Sequence, residues 1–171
     1  NLGAGTVTIP SKSDDYAWSI NSYFARINYT LKDRYLFTAT GRYDGSSKFG
    51  KNNKYAFFPS FAFAWRASEE SFLKSVHWLN NLKVRTSIGE TGNQEIGNYA
   101  FFQNLGSENA IFGDNYYTAL YRSTFGNPDL KWEKTLQWDA GVDVSVLNQR
   151  IDLSLDYYYK KTSDLLLNAP I

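Results

Sequence analysis

Four carboxylates stand nearest to a known chemistry. Asp139 and Asp143, and then Asp152 and Asp156, lie in a stretch that runs TLQWDAGVDVSVLNQRIDLSLDYYYKKT from Thr135 to Thr162. Two carboxyl groups facing each other across a sugar are the machinery of glycoside hydrolysis. The same residues on the polar faces of neighbouring strands also read as a hydrated wall, and the placement favours the wall. His77 is the only histidine. A ligand or general base needs partners that the sequence does not display, so His77 reads as structural or interfacial. Gly113-Asp114-Asn115 resembles a piece of a calcium loop but lacks the alternating oxygen ligands and a distal Glu, so it reads as a turn. Thr91-Gly92-Asn93-Gln94 has no following Lys and no strand-to-helix setting, so it is no phosphate loop. No metal, cofactor or catalytic residue is expected.

Two further sets concern binding. Arg26, Arg42, Arg66, Lys83 and Arg85 fall on the same side of their strands as the carboxylates. They either pair with acids or form a solvated charged wall. Phe112, Tyr116, Tyr117, Tyr121 and Phe125 fall in a long loop. Aromatic rings stack on sugars and on partner proteins, but they also pack loops internally.

The elements that must position these residues alternate with period two. In the stretch from Thr135, Leu136, Trp138, Ala140, Val142 and Val144 interleave with Gln137, Asp139, Gly141, Asp143 and Ser145. After Leu147-Asn148-Gln149-Arg150, the positions Ile151, Leu153, Leu155, Tyr157 and Tyr159 interleave with Asp152, Ser154, Asp156, Tyr158 and Lys160. Successive strand side chains point to opposite faces, so this is a hairpin with one apolar and one polar face. Each run is about ten residues, the length of a tilted strand that crosses a bilayer.

The rest of the chain repeats the pattern. Asn1 to Ile20 reads as loop. Tyr23, Ala25, Ile27, Tyr29 and Leu31 form one apolar face. After the turn at Lys32-Asp33, Tyr35, Phe37, Ala39 and Tyr43 form the next. Gly45 to Lys54 is a polar loop. Tyr55, Phe57, Phe61, Phe63 and Trp65 follow, with Pro59 predicting a bulge or a place near the strand end. Ala67 to Asn81 predicts a short helical turn capped by Ser68. Leu82, Val84, Thr86 and Ile88 resume the alternation. Thr91 to Leu130 has no sustained period.

That predicts an all-β, antiparallel meander of about six strands. Short connections at one end alternate with long glycine-rich ones near 45–54 and 91–130, as in outer-membrane barrels. Tyr or Trp stands near the ends of the apolar faces (Tyr23, Tyr35, Tyr43, Tyr55, Trp65, Trp132, Tyr157 and Tyr159), in the pattern of an interfacial girdle. A soluble or surface β-sandwich that binds carbohydrate is the alternative, because alternation alone suits it too.

Composition bounds less. A net charge of +1 gives no case for nucleic acid, and the absence of Cys excludes thiol chemistry and disulfides. Aromatics make up 18%, high enough to fit a girdle or a sugar site. A mean hydropathy of −0.45 does not exclude a barrel, because in-out alternation averages hydropathy away.

An ordered set of short motifs resembles a family. Ser22 to Tyr29 (SYFARINY), Arg42 to Gly50 (RYDGSSKFG), Phe58-Pro59-Ser60 and Trp65 to Phe72 (WRASEESF) come first. Leu82 to Arg85 (LKVR), Gly89 to Gln94 (GETGNQ), Asn127 to Thr135 (NPDLKWEKT) and Asp164 to Leu167 (DLLL) follow. Together they resemble the barrel of a SusC/RagA-type TonB-dependent outer-membrane receptor. The resemblance implies a 22-stranded transmembrane barrel around a plug. It implies import of oligosaccharides or peptides in the outer membrane of a Gram-negative bacterium, with outer-membrane lipid around the barrel. It also implies a SusD-like surface lipoprotein as partner, and energy from the TonB-ExbB-ExbD complex acting through the plug. Nothing in residues 1–171 resembles the plug, the TonB box or the C-terminal strand, so the expectation is a partial barrel segment. On that reading Arg26, Arg42, Arg66, Arg85, Asp139, Asp143, Asp152 and Asp156 line the lumen wall.

Overall fold

A computed structural model describes residues 15, 17–113 and 115–167 of the 171. The side chains of Tyr116 and Thr124 lie outside the described part. Six strands form one sheet: β1 (Ile20–Leu31), β2 (Tyr35–Ser46), β3 (Tyr55–Arg66), β4 (Leu79–Asn93), β7 (Glu133–Val146) and β8 (Ile151–Ser163). Every neighbour pair is antiparallel, in the order β1-β2-β3-β4-β7-β8. This is the expected meander, with one insertion. Between β4 and β7 the chain makes a separate hairpin, β5 (Asn104–Phe112) with β6 (Asn115–Thr124). The stretch from Thr91 to Leu130 is thus no irregular loop. Its first three residues finish β4, and most of the rest is hairpin.

The register fixes the faces. Ile27 lies opposite Ala39, which lies opposite Phe61, and then Ile88 and Trp138 follow across the sheet. On the other face Arg26 is followed by Thr40, Ser60, Gly89 and Gln137. A slip of one residue would exchange every such row, so the alternation pins the pairing. The apolar face lies open: Ile27 is 70% exposed, Phe61 58% and Leu155 62%. No second sheet packs on it among the described residues, which disfavours the sandwich alternative.

Three local expectations need correction. Pro59 makes no bulge and stands mid-strand, opposite Gly41 of β2. What ends there is the β3–β4 ladder, whose first pair is Ser60 with Gly89. Pro has no N–H to give a ladder, and beyond it β3 keeps only β2 as neighbour. Ser68 caps nothing. The helical turn is a single 3-10 turn, Ala67–Glu69, with Arg66 at its N-cap position and no side-chain cap bond. The bottom of β4 starts at Leu79, earlier than Leu82, because a register shift at Asn80 absorbs the extra residue. Gln149 N–H donates to Asn80 Oδ1 at 3.2 Å and Leu147 N–H to the Trp78 carbonyl at 3.0 Å, so this shift also ties two turns together.

Those turns are compact. Lys32 and Asp33 take positive φ of 52° and 54°, and Leu147, Asn148 and Gln149 take 55°, 57° and 62°. Left-handed turns match the twist of the strands they join, although a branched side chain such as Leu147 adopts that region at a cost.

Candidate functional site

The polar face carries one connected ion network. Arg85 of β4, Gly141 of β7 and Asp156 of β8 share a row across three strands. Arg85 Nη2 reaches over Gly141 to Asp156 Oδ1 at 2.7 Å, while its Nε contacts Asp143 Oδ2 at 3.2 Å. Gly141 leaves the room: a Cβ there would lie 2.6 Å from Asp156 Oδ1 and 2.7 Å from Arg85 Cζ. Ser154 Oγ donates to Asp143 at 2.9 Å. Asp139 accepts from Ser87 Oγ at 3.3 Å and from Gln137 Nε2 at 2.8 Å. Ser145 bonds Asp152.

The structure thus brings Arg85, Asp143 and Asp156 together and leaves Asp139 with Ser87 and Gln137, and Asp152 with Ser145, in separate hydrogen-bonded groups. Two carboxylates that share one guanidinium do not make the acid-and-nucleophile pair that glycoside hydrolysis needs. Arg26 Nε bonds Thr40 Oγ1 at 3.3 Å. Arg42 Nε pairs with Asp44 at 2.6 Å and its guanidinium lies 5.6 Å from the Phe58 ring centre. Arg66 shares the polar face opposite Lys83, with no carboxylate within ion-pair distance of either among the described residues. No cluster of three or more metal-ligating side chains occurs among the described residues.

At the end away from the tight turns, the loops pack on one another. Phe49, Phe58 and Trp132 form a buried cluster, with Ala56, Ile96, Leu130 and Leu166 packed against it. Trp132 was expected in the girdle, facing outward; it is instead 4% exposed, and its Nε1 donates to the Lys54 carbonyl at 3.0 Å. It precedes β7, so the strand's alternation does not govern it. Phe58 points at Gly92, where any Cβ would lie 2.1 Å from the ring. Glu133 Oε2 accepts the Leu166 N–H at 3.1 Å, and Lys131 pairs with Asp164 at 2.9 Å. Asn127 Oδ1 accepts the Asp129 N–H at 3.0 Å, the turn chemistry of an Asn-Pro-Asp run. Three connections, 47–54, 94–132 and 164–167, are thereby clasped around one tryptophan.

The β5–β6 hairpin projects from this clasp. Phe112, Tyr117, Tyr121 and Phe125 are all at least half exposed. Phe112 and Tyr117 pack edge to face at 6.1 Å, and Tyr121 lies over Gly106. Tyr116 of the same expected set belongs to β6, but its side chain lies outside the described part.

The other rim of the sheet holds a site that alternation alone could not reveal. Glu70 accepts from Tyr35 Oη at 2.7 Å, Trp65 Nε1 at 3.2 Å and Arg34 Nη1 at 2.7 Å. The Tyr35 hydroxyl, with Trp65 and Arg34, holds this carboxyl below the usual carboxylate range.

This sheet, its clasp and its motifs match known proteins. A family profile described as TonB dependent receptor-like, beta-barrel covers residues 1–171. The chain belongs to that family. TonB-dependent receptor SusC of Bacteroides thetaiotaomicron is 48% identical over 155 residues, covering 88% of this chain and 15% of that protein. TonB-dependent receptor P3 of Formosa agariphila is 43% identical over 171 residues, covering 100% of this chain and 17% of that protein. Among solved structures, one of the RagAB peptide transporter superposes with a TM-score of 0.79 at 34% identity, over 90% of this chain and 17% of that one. The chain is a segment of SusC/RagA-type receptor barrel and spans only 15–17% of the curated relatives it matches. Within that family segment, the motifs RYDGSSKFG, FPS, GETGNQ, NPDLKWEKT and DLLL all meet at the clasp: Phe49, Phe58, Gly92, Trp132 and Leu166 are one from each.

Proposed function

We propose that this chain forms part of the wall and mouth of an outer-membrane importer of nutrients such as oligosaccharides or peptides. The observation that carries the reading is the register. It gathers the apolar residues of six strands into one open face and the arginines and aspartates onto the other. A face with 58–70% exposure at Ile27, Phe61 and Leu155 suits hydrocarbon, and a charged face suits a water-filled or plugged lumen. On this reading Arg26, Arg42, Arg66, Arg85, Asp139, Asp143, Asp152 and Asp156 are lumen wall. The tight turns face the periplasm, and the clasp and hairpin face outward. The exposed rings of Phe112, Tyr117, Tyr121 and Phe125 are the surface for cargo or for a SusD-like lipoprotein. Energy comes from the TonB-ExbB-ExbD complex, outside this segment.

The test is uptake by the full-length receptor in its host. Uptake of a labelled nutrient should require both the receptor and TonB. Uptake that persists without TonB contradicts the reading.

A further inference from the structure

The outward face ends differently on its two sides. On β1 to β3 the end near the clasp carries Tyr23, Tyr43, Tyr55 and Phe57, with no cation at the paired strand positions beyond them on that face among the described residues. On β7 and β8 it carries Trp138 opposite Tyr159, then Leu136 opposite Lys161, then Lys134 opposite Ser163. Alternation places Lys134 and Lys161 on the face of Val142 and Leu155. Lysines therefore stand one and two steps past an aromatic pair, at the level where a hydrocarbon band gives way to headgroups.

Their counter-charges are incomplete. Lys134 Nζ lies 3.8 Å from Glu90 Oε2, a long contact with both side chains about a third exposed. Lys161 has no carboxylate within ion-pair distance among the described residues, and the nearby Asp164 is taken by Lys131 at 2.9 Å. The face is continuous with the apolar band, so whatever meets it must be apolar below and anionic above.

We propose that Lys134 and Lys161 bind the phosphate of an acidic glycolipid in the outer leaflet, with Trp138, Tyr157 and Tyr159 against its upper acyl chains. Trp138 and Tyr157 already form an edge-on pair at 5.7 Å, leaving their rings as a fixed wall for those chains. This rests on the membrane-wall reading above. Each lysine near an anionic surface strengthens binding by roughly fivefold, and the attraction weakens with salt.

The test uses the full-length receptor in detergent, titrated with lipid A and with its dephosphorylated form, read by native mass spectrometry. The wild-type receptor should prefer the phosphorylated form. Lys134→Gln/Lys161→Gln should weaken that form on the order of tenfold or more and leave the dephosphorylated form unchanged. Lys160→Gln, on the opposite face, should change neither, and Lys161→Arg, which keeps the charge, should retain the preference that Lys161→Gln weakens. Equal binding of both lipid forms, or equal loss from Lys160→Gln, overturns the proposal. Heat-modifiable migration of each variant reports the folded barrel separately, so a failed barrel reading is distinguishable from a failed lipid site.

Discussion

Gly141 holds open the space through which Arg85 reaches Asp156. Gly141→Ala should therefore break that contact and lower the thermal midpoint of the full receptor, with the Arg85–Asp143 contact partly kept. A double-mutant cycle with Arg85→Gln and Asp156→Asn should give a small favourable coupling that shrinks in high salt. Trp132→Ala should cost about 3–5 kcal/mol of local stability, because a buried ring with a satisfied N–H is removed. Limited proteolysis should then cut within 47–54 or 94–103 while the strands stay protected. Glu70 adds a pH dependence. Its carboxyl lies below the ordinary value of 4.5 when folded. Its stabilisation is then full above about pH 4.5 and is lost as pH falls through the folded value. The stability gap between wild type and Glu70→Gln should be constant from pH 5 to 8 and shrink in more acidic buffer; a constant gap throughout would argue against it. None of these residues announced its role in the sequence. Gly141 looked like one polar-face position among others, Trp132 like a girdle ring, and Glu70 like part of a helix start, because each depends on contacts between distant segments.

At the scale of elements, the six sheet strands were legible because each keeps one apolar face, so period two survives in the sequence. The β5–β6 hairpin was not. β5 (Asn104–Phe112) is rich in Asn, Ser, Gly and Glu, residues of poor strand propensity, and although β6 carries Tyr and Thr, both faces of the hairpin meet solvent. With no buried side there is no alternation to read. Two strands alone are marginally stable in water. Backbone amides of 104–124 should exchange much faster than those of β2–β3 and β4–β7, and should gain protection when the proposed SusD-like lipoprotein is added. Slow exchange in the isolated receptor would show that the hairpin is already packed. Pro59 was expected to mark a bulge or a strand end and marks neither: β3 runs on through it against β2, and only the pairing with β4 stops there.

For the whole molecule, β1 and β8 are the open edges of the sheet among the described residues, and on the proposed reading further strands of the same barrel close them. Their unpaired N–H and C=O groups would each cost several kcal/mol in hydrocarbon. The central claim is that one face of this sheet meets lipid and the other the lumen. Residues 1–171 hold no cysteine, so none within this segment competes with an introduced one. In the full receptor in bilayers, spin labels at Ile27, Phe61, Val142 and Leu155 should show high oxygen accessibility. Labels at Arg26, Ser60, Asp143 and Asp156 should show little. Oxygen accessibility that is uniform along the strands, or high at the arginine and aspartate positions instead, would contradict the account.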